Sequence, residues 1–367
     1  MAIILLGVFI LVSLVNLLYF FSFFSIPKPE TKENINTDTP VSVIICAKNE
    51  EENLKNFLPS IMEQNYPNFE IVVINDASSD NTLEVIEDFQ KIDPRIQIVN
   101  VQNNEAFWAN KKYALTLGIK KARHKQLLFT DADCAPQSKN WITEMAGSFQ
   151  SRHKIILGYG GYFQHTGSLL NKLIRFETLL TAIQYISYAR LGSPYMGVGR
   201  NLAYTSDLFY ELKGFANHLH LRSGDDDLFV NEAATAENTA ICIHPDAVTR
   251  SVPKNNFSEW FVQKKRHVSV AGNYKKQHRL LLGTFYICRI LFWLLFAGLM
   301  MLQIFPEIVL CLLGIKLIIE ALVYYKAAEK LNELDVVWLF PFFDIFLIFT
   351  QLAIFISNLI SKPKHWK

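Results

Sequence analysis

Leu127-Leu128-Phe129-Thr130-Asp131-Ala132-Asp133-Cys134 is an apolar run that ends abruptly in two carboxylates two residues apart. The run reads as a buried strand, and in an extended segment residues i and i+2 point to the same side. Two like charges aimed at one point repel each other unless a cation lies between them. A hard divalent ion, which takes oxygen ligands and shares them with a substrate phosphate, is the simplest such partner. Exposed turns are also rich in Asp, so the pair gains meaning only from its surroundings.

Upstream of the pair the chain has a regular rhythm. Residues 41–46 are a strand candidate. Residues 50–64 have helical spacing, with Leu54, Phe57, Leu58 and Ile61 on one face. Residues 71–74 read as a second buried strand, and 81–90 as a helix in which Asn81 and Glu84 fit a capping box. A third strand at 96–99, a helix at 111–122 and a fourth strand at 126–130 follow. Strands alternating with helices at this spacing predict right-handed βαβ units and an α/β fold with a mainly parallel sheet. Ligands of such sheets bind outside the carboxyl ends of the strands. The first strand is followed by Ala47-Lys48-Asn49-Glu50, the second by Asn75-Asp76-Ala77-Ser78-Ser79-Asp80, and the fourth by the acid pair. Polar and acidic groups from three loops therefore converge on one edge. Neither Gly-x-x-x-x-Gly-Lys-Ser/Thr nor a Gly-x-Gly-x-x-Gly after the first strand is present, which excludes a P-loop ATPase and argues against a dinucleotide oxidoreductase. Acids without a phosphate-cradling glycine loop suggest a diphosphate gripped through a metal.

The flanks are of another character. Of the 367 residues 50% are hydrophobic, and 28 are Phe. Residues 1–24 hold no charged side chain, long enough to cross a bilayer, which takes roughly 20 apolar residues. With no basic start and no small-residue cleavage site, the stretch reads as an anchor rather than a cleaved signal. Residues 281–304 and 308–325 read as a helical hairpin around Phe305-Pro306-Glu307. A third stretch, 336–360, is interrupted by Pro341 and Asp344 and is expected either to span or to lie in the interface. Basic residues set orientation. Lys28 and Lys32 after the first helix, and Lys264, Lys265, Arg266, Lys275, Lys276 and Arg279 before the second, place the middle of the chain in the cytoplasm. The tail from Lys362 to Lys367 is expected on the same side, so one of the three C-terminal stretches does not cross, and the third is the one suspected. The expected organisation is a membrane helix at 1–26, a linker at 27–39, a cytoplasmic domain at 40–279, membrane helices at 280–360 and a basic tail at 361–367. The net charge of +2 points to no nucleic acid partner. The five cysteines (Cys46, Cys134, Cys242, Cys288 and Cys311) show no Cys-x-x-Cys spacing, so neither a zinc site nor a disulfide framework is expected.

From residue 40 to about residue 274 the chain resembles the membrane-anchored family 2 inverting glycosyltransferases with a GT-A fold. The opening Val41-Ser42-Val43-Ile44-Ile45-Cys46-Ala47-Lys48-Asn49-Glu50 is similar to the first strand and nucleotide loop of that family. The resemblance continues through the strand ending in Asp76, through Lys111 with Ala114-Leu115, through Asp131-Ala132-Asp133, through Gly199-Arg200-Asn201-Leu202-Ala203-Tyr204 and through Gly224-Asp225-Asp226-Asp227-Leu228. Two departures stand out. The family's Glu before the catalytic Asp is Gly224 here. Its Gln-x-x-Arg-Trp reads Gln263-Lys264-Lys265-Arg266-His267, which argues for adding one sugar or a few over long-chain synthesis.

The resemblance implies a sugar moved with inversion from a nucleotide diphosphate, uridine diphosphate being commonest, to a hydroxyl of a lipid-linked or membrane-proximal glycan at the bacterial cytoplasmic membrane. It implies Asp225 as general base. Ala47, Asn49, Glu50, Asp76, Lys111 and Asp131 would bind the nucleotide. Asp133, with Asp131, would hold Mg²⁺ or Mn²⁺. Asp226, Gln263, Lys265, Arg266 and His267 would face the acceptor or the diphosphate. Plainer readings compete for each: an acidic helix cap for residues 225–227, a positive-inside flank for residues 264–266, an Asx-turn for Asp76, and loop packing for Phe107 and Trp108. Two other classes stay open, namely another metal-dependent nucleotide-using enzyme and a non-catalytic membrane protein that has kept the fold. A phosphatase built on an Asp-x-Asp nucleophile is argued against by Cys134-Ala135, which stand where Thr or Val is wanted.

Overall fold

The computed structural model describes residues 1–27, 39–102, 111–149, 152–221 and 223–361. The expectations resting on Lys28, Lys32, Phe107, Trp108 and residues 362–367 therefore lie outside the described residues. After α1 (Ala2–Phe23) the chain builds β1 (Val41–Ala47), α2 (Glu51–Met62), β2 (Phe69–Asp76), α3 (Thr82–Ile92), β3 (Ile96–Val101), α4 (Lys111–Lys121) and β4 (Gln126–Asp131). Each expected strand and helix of the rhythm is present. Every residue of β1 and β2 is buried, which explains the apolar runs 43–46 and 71–74: both faces of this sheet are covered. The cap of α3 differs from expectation. Asp80 Oδ1, not Asn81, accepts from the N–H of Thr82 at 3.1 Å, while the Asn81 amide donates to Glu51.

The chain continues through β5 (Cys134–Pro136), α5 (Trp141–Ala146), β6 (Ile155–Gly158), β7 (Gly160–Tyr162), α6 (Leu169–Arg190), β8 (Leu202–Thr205), α7 (Ser206–Glu211), α8 (Asp227–Ala233), β9 (Thr239–Cys242), β10 (Thr249–Ser251) and α9 (Phe257–Val268). Among the described residues seven strands form one sheet in the order β3-β2-β1-β4-β8-β6-β9. The first four run parallel, β8 runs against both neighbours, and β9 is parallel to β6. Cys46 of β1 pairs in register with Asp131 of β4, and Ala47 with Asn75 of β2, so the ends of these strands lie level on one edge. A smaller sheet, β5-β10-β7, flanks that edge. One core joins a sheet face to α4, α6 and the inner end of α1, where Phe20 and Phe23 are buried. A second core lies under α2, α3 and α5.

The C-terminal part consists of α10 (Lys276–Met301), α11 (Pro306–Leu331) and α12 (Phe340–Ile360). Among the described residues four helical segments, α1, α10, α11 and residues 334–360, are long and apolar enough to cross a membrane. The last stretch is divided near Pro341, where a turn at Leu334–Leu339 gives way to α12, but it is not broken at Asp344. Pro341 lies in the first turn of α12, where a missing N–H breaks no helical bond, and Asp344 forms a buried ion pair with Arg289 of α10. Both ends of α12 lie against the α/β domain. A turn at Leu334–Leu339 contacts α6, and further along α12 runs beside α9. Phe346 meets Phe257 with ring centroids 5.9 Å apart, the Asn358 amide donates to the Lys265 carbonyl at 3.1 Å, and Lys265 Nζ donates to Ser361 Oγ at 2.9 Å.

Candidate active site

The edge formed by the ends of β1, β2 and β4 gathers the acids. Asp131 is the last residue of β4, and Lys111 opens α4 beside it. Lys111 Nζ lies 3.0 Å from Asp131 Oδ1 and 3.1 Å from Asp225 Oδ2. One ammonium thus joins a strand-end carboxylate to a second carboxylate 94 positions later in the chain. Burial works against the charge of Lys111, but Asp131 and then Asp225 outweigh it and hold the ammonium well above the ordinary lysine range. Burial likewise raises Asp225, but the adjacent Lys111 more than offsets it, so that carboxyl sits below the usual carboxylate range and is ionised at neutral pH.

Asp133 lies in the turn after β4. Its Oδ2 accepts from Ser251 Oγ of β10 at 3.0 Å, and its carbonyl accepts from the N–H of Val252 at 3.2 Å. Potential ligand atoms of Asp131, Asp133 and Cys134 fall within 4.8 Å of one another. Burial, then the charges of Asp131 and Glu50, push the Asp133 carboxyl up. A divalent cation beside the two carboxylates would offset both the burial and the like charge. Burial and Asp133 raise the Cys134 thiol well above its ordinary value, so it stays protonated. The donor set left is carboxylate oxygen, which suits Mg²⁺ or Mn²⁺ rather than zinc.

The loops that follow β1 and β2 are zipped together. Asn49 Oδ1 accepts from the N–H of Ser79 at 2.8 Å, the N–H of Asn49 donates to Ser78 Oγ at 3.0 Å, and the N–H of Glu50 donates to Thr82 Oγ1 at 2.9 Å. Asn49 and Ala77 both take positive φ, 54° and 50°, which turns the chain sharply off the ends of β1 and β2. Asp76 is buried at the end of β2, with Lys48 Nζ 3.7 Å from its Oδ2.

Three successive aspartates divide their duties. Asp225 faces Lys111. Asp226 caps α8, and its two oxygens accept the N–H groups of Asp227 at 2.8 Å and Gly199 at 2.7 Å. Asp227 accepts from the Tyr274 hydroxyl at 2.7 Å, and burial, then Asp226, push its carboxyl up to about 8. The acceptor or diphosphate role expected of Asp226 therefore meets a carboxylate already engaged by backbone. Gly224 adopts φ +89°, and a Cβ there would lie 2.5 Å from Leu228 Cδ1, so the departure from the expected Glu follows from local backbone shape.

Residues 42–209 match the model of the family described as glycosyl transferase family 2. The chain carries a family 2 glycosyltransferase domain. An uncharacterized glycosyltransferase of Haemophilus influenzae is 34% identical over 124 residues, which is 34% of this chain and 36% of that protein. A poly-beta-1,6-N-acetyl-D-glucosamine synthase of Staphylococcus epidermidis is 38% identical over 93 residues, 25% of this chain and 21% of the synthase. The chain thus spans only about a fifth to a third of these relatives. The mannosyltransferase PcManGT of Pyrobaculum calidifontis, solved with GDP-Man and Mn²⁺, shares the fold with a TM-score of 0.59 at 18% identity, over 94% of this chain and 98% of that one.

The glycosyltransferase domain brings together Ala47, Asp76, Lys111, Asp131, Asp133 and Asp225, and His267 of α9 lies close enough to Arg200 and Lys111 to feel both charges, whereas Lys264 and Lys265 of α9 are engaged elsewhere. Lys265 is bonded to Ser361, its neighbour Lys264 pairs with Glu177, and His267 is exposed. Among the described residues no hydrogen bond from Gln263, Lys265, Arg266 or His267 reaches the acids. The matched stretch ends before both Asp225 and α9.

Lys112 was not singled out in the sequence. Its Nζ donates to the carbonyls of His218 at 2.8 Å, Leu221 at 3.0 Å and Ser223 at 2.6 Å, which pins the segment leading into Asp225 to α4. Burial pulls that ammonium down to about 8. The only hint was Lys-Lys at a helix start, which reads as a solvated pair.

Proposed function

We propose that this protein moves a sugar from a nucleotide diphosphate donor to an acceptor hydroxyl with inversion, using Asp225 as general base. The observation that carries this reading is the Asp131–Lys111–Asp225 arrangement: an ionised, half-buried carboxylate held beside the acid pair, at the ligand edge of a family 2 domain. The acceptor hydroxyl attacks the anomeric carbon from the face opposite the leaving group. A new C–O bond forms, the bond to the diphosphate oxygen breaks with its electron pair leaving on the diphosphate, and the hydroxyl proton passes to Asp225. Such a base typically contributes about 10²–10⁴-fold. Lys111 keeps Asp225 ionised, and Ser251 orients Asp133. Asp133 and Asp131 would hold Mg²⁺ or Mn²⁺, which when bound supplies Lewis-acid stabilisation of the charge on the departing diphosphate.

The zipped loops at residues 47–50 and 76–82 form the nucleotide end, with Asp76 toward the base. A uridine diphosphate sugar is the donor to try first. The acceptor is a lipid-linked or membrane-proximal glycan, which fits a site whose domain is flanked by apolar helices. In this reading α1, α10 and α11 cross the membrane and α12 lies along its surface beside α9, with the glycosyltransferase domain on the cytoplasmic side. Exposed His267 in place of Trp fits the addition of one sugar or a few.

A thermal-shift screen of nucleotide sugars with Mn²⁺ on detergent-solubilised full chain tests the reading, since a ligand bound only by the folded state raises the melting temperature by mass action. At least one nucleotide sugar is expected to raise it in a metal-dependent way. No shift with any donor, with or without metal, contradicts it.

A further inference from the structure

The C-terminal end of α11 is plugged into the α/β domain. The helix stops at Asn332, whose φ of 56° is left-handed, and the N–H of Glu333 folds back to the Ala328 carbonyl at 2.8 Å. Glu333 is then fully buried. Its Oε1 accepts from Arg250 Nη1 at 2.6 Å and from the Tyr159 hydroxyl at 3.1 Å, and its Oε2 from Arg175 Nε at 2.7 Å. Arg250 also donates to the carbonyl of Asn332 at 3.3 Å, placing a cation at the negative end of α11. Arg175 is shared with Asp335, whose oxygens lie 2.5 and 2.8 Å away.

Arg250 is the middle residue of β10, and the next residue is Ser251, which holds Asp133. β10 pairs with β5, the strand that begins at Cys134, so Asp133 is bracketed by strand pairing and the Ser251 bond. A short path therefore runs from Glu333 through its ion pair with Arg250, the Arg250–Ser251 peptide link and the Ser251 hydrogen bond to the carboxylate of Asp133. A buried ion pair of this kind is a poor device for stability alone, because an apolar pair of similar volume often serves as well. It is well suited to fixing one geometry.

We propose that Glu333 is a positioning residue: through Arg250 and Ser251 it sets the orientation of Asp133, making the end of α11 a structural part of the metal site. The proposal rests on the metal reading above. Partners that orient a ligand typically account for about 10–100-fold in metal affinity.

The test is Mn²⁺ affinity of the full-length protein in detergent, measured by titration without donor or acceptor, so that no turnover enters. Glu333→Gln is expected to weaken Mn²⁺ binding about 10-fold or more. Asp335→Asn, which loosens the same plug without touching β10, is expected to stay within about 2-fold of wild type. Should Glu333→Gln fail to fold, the double variant Arg250→Met/Glu333→Leu removes both buried charges and leaves Arg175 its partner Asp335; it is expected to show the same loss. A folded Glu333→Gln or double variant with wild-type Mn²⁺ affinity overturns the proposal, as does equal weakening in Asp335→Asn. A wild type that binds no Mn²⁺ overturns the metal reading and this proposal together, an outcome distinguished by the silence of the wild type itself.

Discussion

Asp225, Lys111 and the acid pair form the smallest unit on which the proposed chemistry depends. Replacing Asp225 by Asn removes the proton acceptor and keeps the shape, so kcat should fall about 10²–10⁴-fold with little change in donor KM. Lys111→Met is predicted to act differently. Lys111 holds the Asp225 carboxyl below its ordinary value against burial, so removing it lets burial win and the Asp225 pKa rises. The acid limb of the kcat/KM profile, which reports the free enzyme, should then move to higher pH; an unmoved limb would separate Asp225 from the observed ionisation. The opposite sign holds for Asp227. Its folded pKa is raised to about 8, so the folded state binds the extra proton between the ordinary carboxylate pKa and about 8, and the stability of the wild type declines with rising pH in that window. Melting temperatures of Asp227→Asn and wild type should therefore shift in favour of the variant as pH rises from about 4 to about 8.

At the scale of elements, the four parallel strands and their helices were legible because each is marked by its own residues. Val43-Ile44-Ile45-Cys46 and Ile71-Val72-Val73-Ile74 are continuous apolar runs, and such runs mean a sheet covered on both faces. The acids at their ends were legible for the same reason, since strand order alone puts Asp76 and Asp131 on one edge. What stayed hidden depends on contacts far apart in sequence. Nothing local says that Lys112 reaches the carbonyls of His218, Leu221 and Ser223, that Asp226 turns to the N–H of Gly199, or that Lys265 turns to Ser361. Gly224 lies between these cases. It looked like a lapse from a family pattern, yet its φ of +89° and the nearby Leu228 side chain account for it. Gly224→Glu, which restores the expected residue, should cost roughly 1–3 kcal/mol of stability through left-handed strain, read as a lower melting temperature.

For the whole molecule, the helices at both ends are not appendages. Asn16 of α1 donates to the Cys288 carbonyl of α10 at 3.0 Å, Tyr274 just before α10 bonds Asp227, two residues after Asp225, and Glu333 just after α11 reaches the strand beside Asp133. The residues at the two ends of the α10–α11 hairpin thus bond the segment after Asp225 and the strand beside Asp133. Because α12 returns to α9, Ser361 should lie on the same side of the membrane as the glycosyltransferase domain and the α10–α11 turn on the other. Single cysteines at Glu87, Gln303 and Ser361 in a background without the native cysteines, probed with a membrane-impermeant thiol reagent on sealed vesicles, should group Glu87 with Ser361 and set Gln303 apart; Ser361 grouping with Gln303 would mean that α12 spans. The most direct test of the chemistry is release of nucleoside diphosphate from a panel of nucleotide sugars, measured with Mn²⁺ on the full chain and on Asp225→Asn in parallel with donor binding. The expected result is metal-dependent release by the wild type and a variant that binds the donor equally well but releases at least about 10²-fold more slowly. Release by Asp225→Asn at the wild-type rate would contradict the assignment of Asp225 as the base.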